Sequence, residues 1–70
     1  MVDARGHRCP VPTLRLRRAL ERAAEDQVVR LLADDPLARI DVPHFCRSEA
    51  FRVTSTSEDG PTLIFDVTRA

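Results

Sequence analysis

Seven residues near the middle of the chain, QVVRLLA at 27–33, constrain the fold more than any other stretch. They are nearly continuous in apolar residues and rich in β-branched ones, the composition of an interior strand. Such a strand needs partners on both edges and a helical cover, and the flanking segments offer both. Upstream, Leu16, Ala19, Leu20 and Ala23 recur at i, i+3, i+4 and i+7, the apolar stripe of an amphipathic helix. They predict a first helix from about Pro10 to Glu25. Met1 to Arg5 reads as a short edge strand with Val2 and Ala4 on one face. Downstream, Asp34-Asp35-Pro36 reads as a helix start, with Asp35 as N-cap and Pro36 at the first helical position. Leu37 and Ile40 follow at helical spacing. Pro43 cannot donate to the carbonyl four residues back, so a short turn followed by a second helix over about Pro43 to Glu49 is expected. That helix would bury Phe45, with Cys46 beside it.

The remaining residues read as a hairpin. Phe51, Val53 and Ser55 alternate with Arg52, Thr54 and Thr56, and Leu63, Phe65 and Val67 alternate with Ile64, Asp66 and Thr68. Between them SEDGP supplies turn residues. The order is βαβαββ, and it predicts an α/β two-layer sandwich: a four-stranded mixed sheet with both helices on one face and the other face polar. Seventy residues make one domain, 1–70. A domain near this size buries only about 60% of its unfolded surface, so its core is small and each large apolar side chain counts.

Eleven acidic and eleven basic residues balance, without a block of either sign. All the basic ones are arginine. This argues against a general nucleic-acid binder, whose affinity rests on phosphate neutralisation. With neither tyrosine nor tryptophan, the chain also lacks a stacking platform for RNA. No apolar run approaches the roughly 20 residues of a membrane span, and MVDARGHRCP lacks the apolar stretch of a signal peptide. The expected compartment is the cytoplasm, where two cysteines are read as thiols rather than a disulfide.

Chemistry concentrates at GHRCPVPTL, residues 6–14. If the first helix starts at Pro10, Cys9 stands at a helix N-terminus, among unpaired N–H groups and a partial positive charge. A thiol there is stabilised as thiolate, the nucleophilic form, and its pKa can fall from about 8.5 to between about 3.5 and 7.5. Pro10 and Pro12 fix φ near −65° and stiffen the start, Gly6 permits a tight turn out of the first strand, and His7 and Arg8 add positive charge. Arg15, Arg18 and Arg22 form a second stripe on the same helix. They suit docking of an acidic partner, or a solvated face paired locally with Glu21, Glu25 and Asp26. Cys46, between Phe45 and Phe51, reads as a buried small hydrophobe rather than a resolving thiol.

Asp3, Gly6, the string Cys9-Pro10-Val11-Pro12, Asp34-Asp35-Pro36, Asp41-Val42-Pro43 and Phe45-Cys46 together resemble the TusA/SirA-like family of small sulfur carriers, over nearly the whole chain. The resemblance implies the same βαβαββ fold and a persulfide carried on Cys9. It implies a protein donor (a cysteine desulfurase or rhodanese-like enzyme) and a protein acceptor, in tRNA thiolation, sulfur oxidation or cofactor synthesis. It implies no metal or organic cofactor, and such a chain is expected to act as a monomer, without membrane or direct nucleic-acid contact. Family members often carry leucine where His7 stands, and glycine or histidine around Ala50 and Phe51. Besides direct RNA contact, set aside above on charge and composition, two other readings compete. One is a non-catalytic interaction or regulatory domain with an inert Cys9. The other is a zinc site built from His7/Cys9 and His44/Cys46, disfavoured because residues two apart on a helix do not face each other.

Overall fold

The computed structural model describes residues 1–8 and 11–69. Its elements run β1 (Val2–Asp3), α1 (Val11–Arg22), β2 (Val29–Ala33), α2 (Ala38–Ser48), β3 (Arg52–Asp59) and β4 (Thr62–Thr68). The sheet order is β1-β2-β4-β3, with β1 parallel to β2 and the other two pairs antiparallel. This is the expected mixed sheet and βαβαββ order. One apolar cluster joins Leu16 and Leu20 of α1 and Ala38, Val42 and Cys46 of α2 to Leu31 of β2 and Phe65 of β4. Both helices therefore cover the same face. On the opposite face Arg30 and Asp66 pair across the β2–β4 ladder at 2.9 Å.

Four local expectations are corrected. First, the interior strand begins at Val29 rather than Gln27, with Val28 half exposed. Its burial alternates, because the two helices cover only one face of the sheet. Second, α1 ends at Arg22, three residues short of Glu25. The Arg69 guanidinium, from beyond β4, donates to the Ala23 carbonyl at 2.7 Å and satisfies an acceptor the helix leaves open.

Third, the second helix is one element with Pro43 inside it, starting five residues before the proline. Asp35 does not cap it. The Asp35 side chain accepts the Leu37 N–H at 3.1 Å, and a tight turn through Pro36 hands over to α-helical bonding at Asp41. Pro43 lacks the hydrogen that would reach the Arg39 carbonyl, a cost of about 3 kcal/mol in a helix interior. Arg39 is exposed, so water can take that carbonyl, and the burial of Val42 and Cys46 on either side of the proline holds the helix through it. Leu37 and Ile40, at helical spacing, stay mostly exposed. The helix ends in a Schellman motif: Phe51 donates to Cys46 at 2.7 Å and Ala50 to Arg47 at 3.3 Å. Ala50 takes φ 60°, a left-handed position that usually holds glycine.

Fourth, β3 carries a bulge. Val53 pairs with Val67 but Ser55 with Asp66, leaving Thr54 as the extra residue. Ser55 therefore leaves the face of Val53, and Thr56 and Glu58 take the helix side, where Glu58 ion-pairs with Arg39 of α2. The turn shrinks from SEDGP to Gly60-Pro61, with Gly60 at φ 59° and the Pro61 ring near −65°, the sign pair of a type II′ turn.

Candidate functional site

In a parallel strand pair both carboxyl ends reach the same edge of the sheet, and open α/β folds favour that edge for their chemistry. Here the register Asp3↔Leu32 brings the segments after β1 and β2 together. The chain leaves β1 through Ala4, which is fully buried and donates to the Leu32 carbonyl at 2.8 Å. It then turns. His7 donates to the Ala4 carbonyl at 3.2 Å, and Gly6 at the third position takes φ 82°, which fits a type II turn. The tight turn expected of Gly6 is present, and a side chain there would be strained by the positive φ alone.

Cys9 and Pro10, the centre of the expected site, lie outside the described residues. Their neighbours on both sides are described. Arg8 accepts the Val11 N–H at 3.0 Å, and Val11 opens α1. No acidic residue stands in the first turn of α1, so no side-chain carboxylate there competes for the positive end of the helix. Pro12 is buried in the core and Thr13 nearly so, which pins the start of the helix to the sheet.

The four residues expected to dock a partner line two different depressions. His7 and Arg8 are exposed and line a shallow cleft of about 250 Å³ with Gly6, Asp34, Asp35 and Pro36. Arg15 and Arg18 are exposed along a different groove of about 380 Å³ between β1 and α1, floored by Val2, Val11 and Ala19 and continued by Arg22. The local pairing with Glu21, Glu25 and Asp26 does not form among the described residues. Arg15 instead donates to the Asp3 carbonyl at 3.0 Å. A fifth arginine, Arg17, has a structural role: it ion-pairs with Glu49 and lies 5.3 Å from the Phe45 ring centroid, clamping α1 to α2.

Two further side chains matter at this edge. Asp34 accepts the Gly6 N–H at 2.9 Å, tying the turn after β1 to the loop after β2. The parallel pairing of β1 with β2 was the available signal, since it sets Asp34 beside residues 5 and 6. Asp3 is gripped by the Arg5 guanidinium, whose hydrogen bonds at 2.9 and 2.8 Å pull its pKa down to about 2.

Cys46 is 1% exposed, and burial pushes its thiol up to about 11. It packs as a small hydrophobe and stays protonated at neutral pH. His44 is exposed on the same helix, so this pair does not converge on one metal. No group of three or more His, Cys, Asp or Glu side chains among the described residues is placed to hold a metal ion. No helix among them is long and apolar enough to cross a membrane.

Comparison with known proteins adds two findings. The model of the family described as "Sulfurtransferase TusA" matches residues 1–69 of the chain. The fold is similar to the crystal structure of a SirA-like protein from Desulfitobacterium hafniense. The TM-score is 0.81 at 23% identity, over 96% of this chain and 92% of that one.

Proposed function

The chain belongs to the TusA sulfurtransferase family, whose members are protein components of sulfur relays, and we propose that it relays sulfur as a persulfide on Cys9. The Cys9 thiolate attacks the terminal sulfur of a donor protein's persulfide. A bond forms between Cys9 Sγ and that sulfur, the donor's S–S bond breaks, and the donor cysteine leaves as thiolate. Sulfur changes hands without net oxidation, and the rate depends on thiolate fraction, leaving group and access. The acceptor repeats the attack on the Cys9 persulfide.

The observation that carries this reading is the anchoring on both sides of residues 9 and 10. Ala4 is buried at the end of β1, Gly6 is tied to Asp34, and Pro12 is buried in the first turn of α1. The segment between is short, and Gly6, His7 and Arg8 before it are exposed, as a thiol that meets two partner proteins in turn requires. The helix start supplies the positive potential that favours a thiolate. Arg15 and Arg18, in the groove beside the same helix start, meet acidic groups on the donor, and His7 and Arg8 border the cleft on the β2 side. The donor is a cysteine desulfurase or a rhodanese-like enzyme and the acceptor is a further protein of the relay.

Incubation with a cysteine desulfurase and cysteine, read by intact mass, tests the proposal. The wild-type chain is expected to gain one sulfur and the Cys9→Ser variant none, while both keep the same circular dichroism spectrum. Sulfur still appearing on the serine variant overturns the assignment to Cys9. A Cys9 that alkylates with the pH dependence of an ordinary thiol, and never loads, favours an inert interaction domain.

A further inference from the structure

Residues 5 to 8 are exposed, so burial does not hold the turn that leads to Cys9. Most of its polar contacts are local. The Arg5 side chain and backbone N–H turn back to Asp3, and His7 bonds to Ala4 within the turn at 3.2 Å. A side chain from elsewhere in the fold also reaches this turn. Asp34, 28 residues along the chain from Gly6, takes the Gly6 N–H at 2.9 Å. Hydrogen bonds to a carboxylate are the strong class.

We propose that Asp34 is a positioning residue for the Cys9 thiol: by holding Gly6 it fixes the turn after β1, and with it the direction in which the chain presents Cys9 to a partner protein. This rests on the sulfur-carrier reading above. Two residues, His7 and Arg8, separate Gly6 from Cys9, a span of at most about 11 Å. The buried Pro12 holds the far side. With the tether in place the turn after β1 is tied across to the loop after β2; without it the turn is held only at its base, by buried Ala4 and the His7–Ala4 bond. A small reagent reaches the thiol from any direction, whereas a protein donor must meet it along one approach.

The test compares Asp34→Ala and Asp34→Asn with the wild type in sulfur loading from a desulfurase, alongside alkylation by iodoacetamide. Loss of a hydrogen bond to a charged acceptor frees the turn by about tenfold or more. Loading of D34A is expected to slow by about that factor, while alkylation changes by less than about twofold. The D34N side chain keeps an oxygen where the carboxylate stood and restores most of the loading rate. Loading of D34A at the wild-type rate overturns the inference, as does an equal fall in loading and alkylation. Should D34A fail to fold, the donor can be removed instead. A full-length chain joined by ligation at Cys9, with the Arg5–Gly6 amide replaced by an ester, lacks only the Gly6 N–H and is expected to load as slowly. In a chain carrying both changes the second adds nothing if they act through one bond. A wild-type chain that does not load removes the sulfur-carrier reading and this inference with it.

Discussion

The buried thiol of Cys46 makes a prediction that this composition isolates unusually well. The chain has neither lysine nor tyrosine, so between about pH 8.5 and 11.5 only the two cysteines titrate among its side chains. In a Cys9→Ser background Cys46 titrates alone. Its pKa lies at about 11 when folded against 9.0 for the unperturbed thiol, because burial disfavours the thiolate. A pKa raised on folding contributes stability that is complete below the unfolded value and is lost as pH rises through the folded one. The loss relative to neutral pH works out at about 1.4 kcal/mol at pH 10, about 2.3 at pH 11, and about 2.7 in the limit. With a urea slope of about 1 kcal/mol per molar for so small a domain, the midpoint falls by about 1.4 M between pH 7 and pH 10. The control is Cys9→Ser/Cys46→Ala, which loses about 1 kcal/mol of packing at every pH. It should show no drop from pH 7 to pH 10 beyond that of the amino terminus, which both variants share. Parallel curves for the two variants would refute the reasoning, because Cys46 would then reach solvent in the folded state.

Other outcomes follow from the same structure. Ala50→Gly relieves a left-handed alanine in the Schellman motif after α2 and should raise stability by about 0.5–1 kcal/mol in urea unfolding, with sulfur loading unchanged. Arg17→Ala removes both the Glu49 ion pair and the Phe45 contact, and should cost about 1 kcal/mol, part of it masked in high salt. The Asp3 carboxyl, followed by NMR, should titrate near 2 and return toward 3.8 in Arg5→Ala. Its depressed pKa makes its contribution one that is present above the unfolded value and lost as pH falls through about 2. Arg18→Glu should slow loading from an acidic donor several-fold at low salt and much less at high salt. An unchanged rate at low salt would leave the α1 groove a solvated face.

The order of the elements was legible in the sequence because it rests on local periodicity. The stripe of Leu16, Ala19, Leu20 and Ala23 and the alternation of Leu63, Phe65 and Val67 depend on backbone geometry within a few residues. Gly6 as a turn residue and Cys46 as a core residue were legible for the same reason, through the φ a turn demands and the apolar neighbours of the cysteine. What the tertiary structure alone decided are relations across long stretches of chain. The bulge at Thr54 depends on β4, since parity within β3 cannot reveal where its partner's register slips. Pro43 reads locally as a break. It is carried inside α2 because Val42 and Cys46 are buried on either side of it, a balance of packing against one lost hydrogen bond. The arginines of α1 look alike in sequence, yet Arg17 is fixed by Glu49, Arg15 by Asp3, and Arg18 is left facing a groove. The contact of Asp34 with Gly6 joins residues that only the parallel pairing of β1 and β2 brings together. Short-range pattern sets which elements form; the register between them sets which side chains meet.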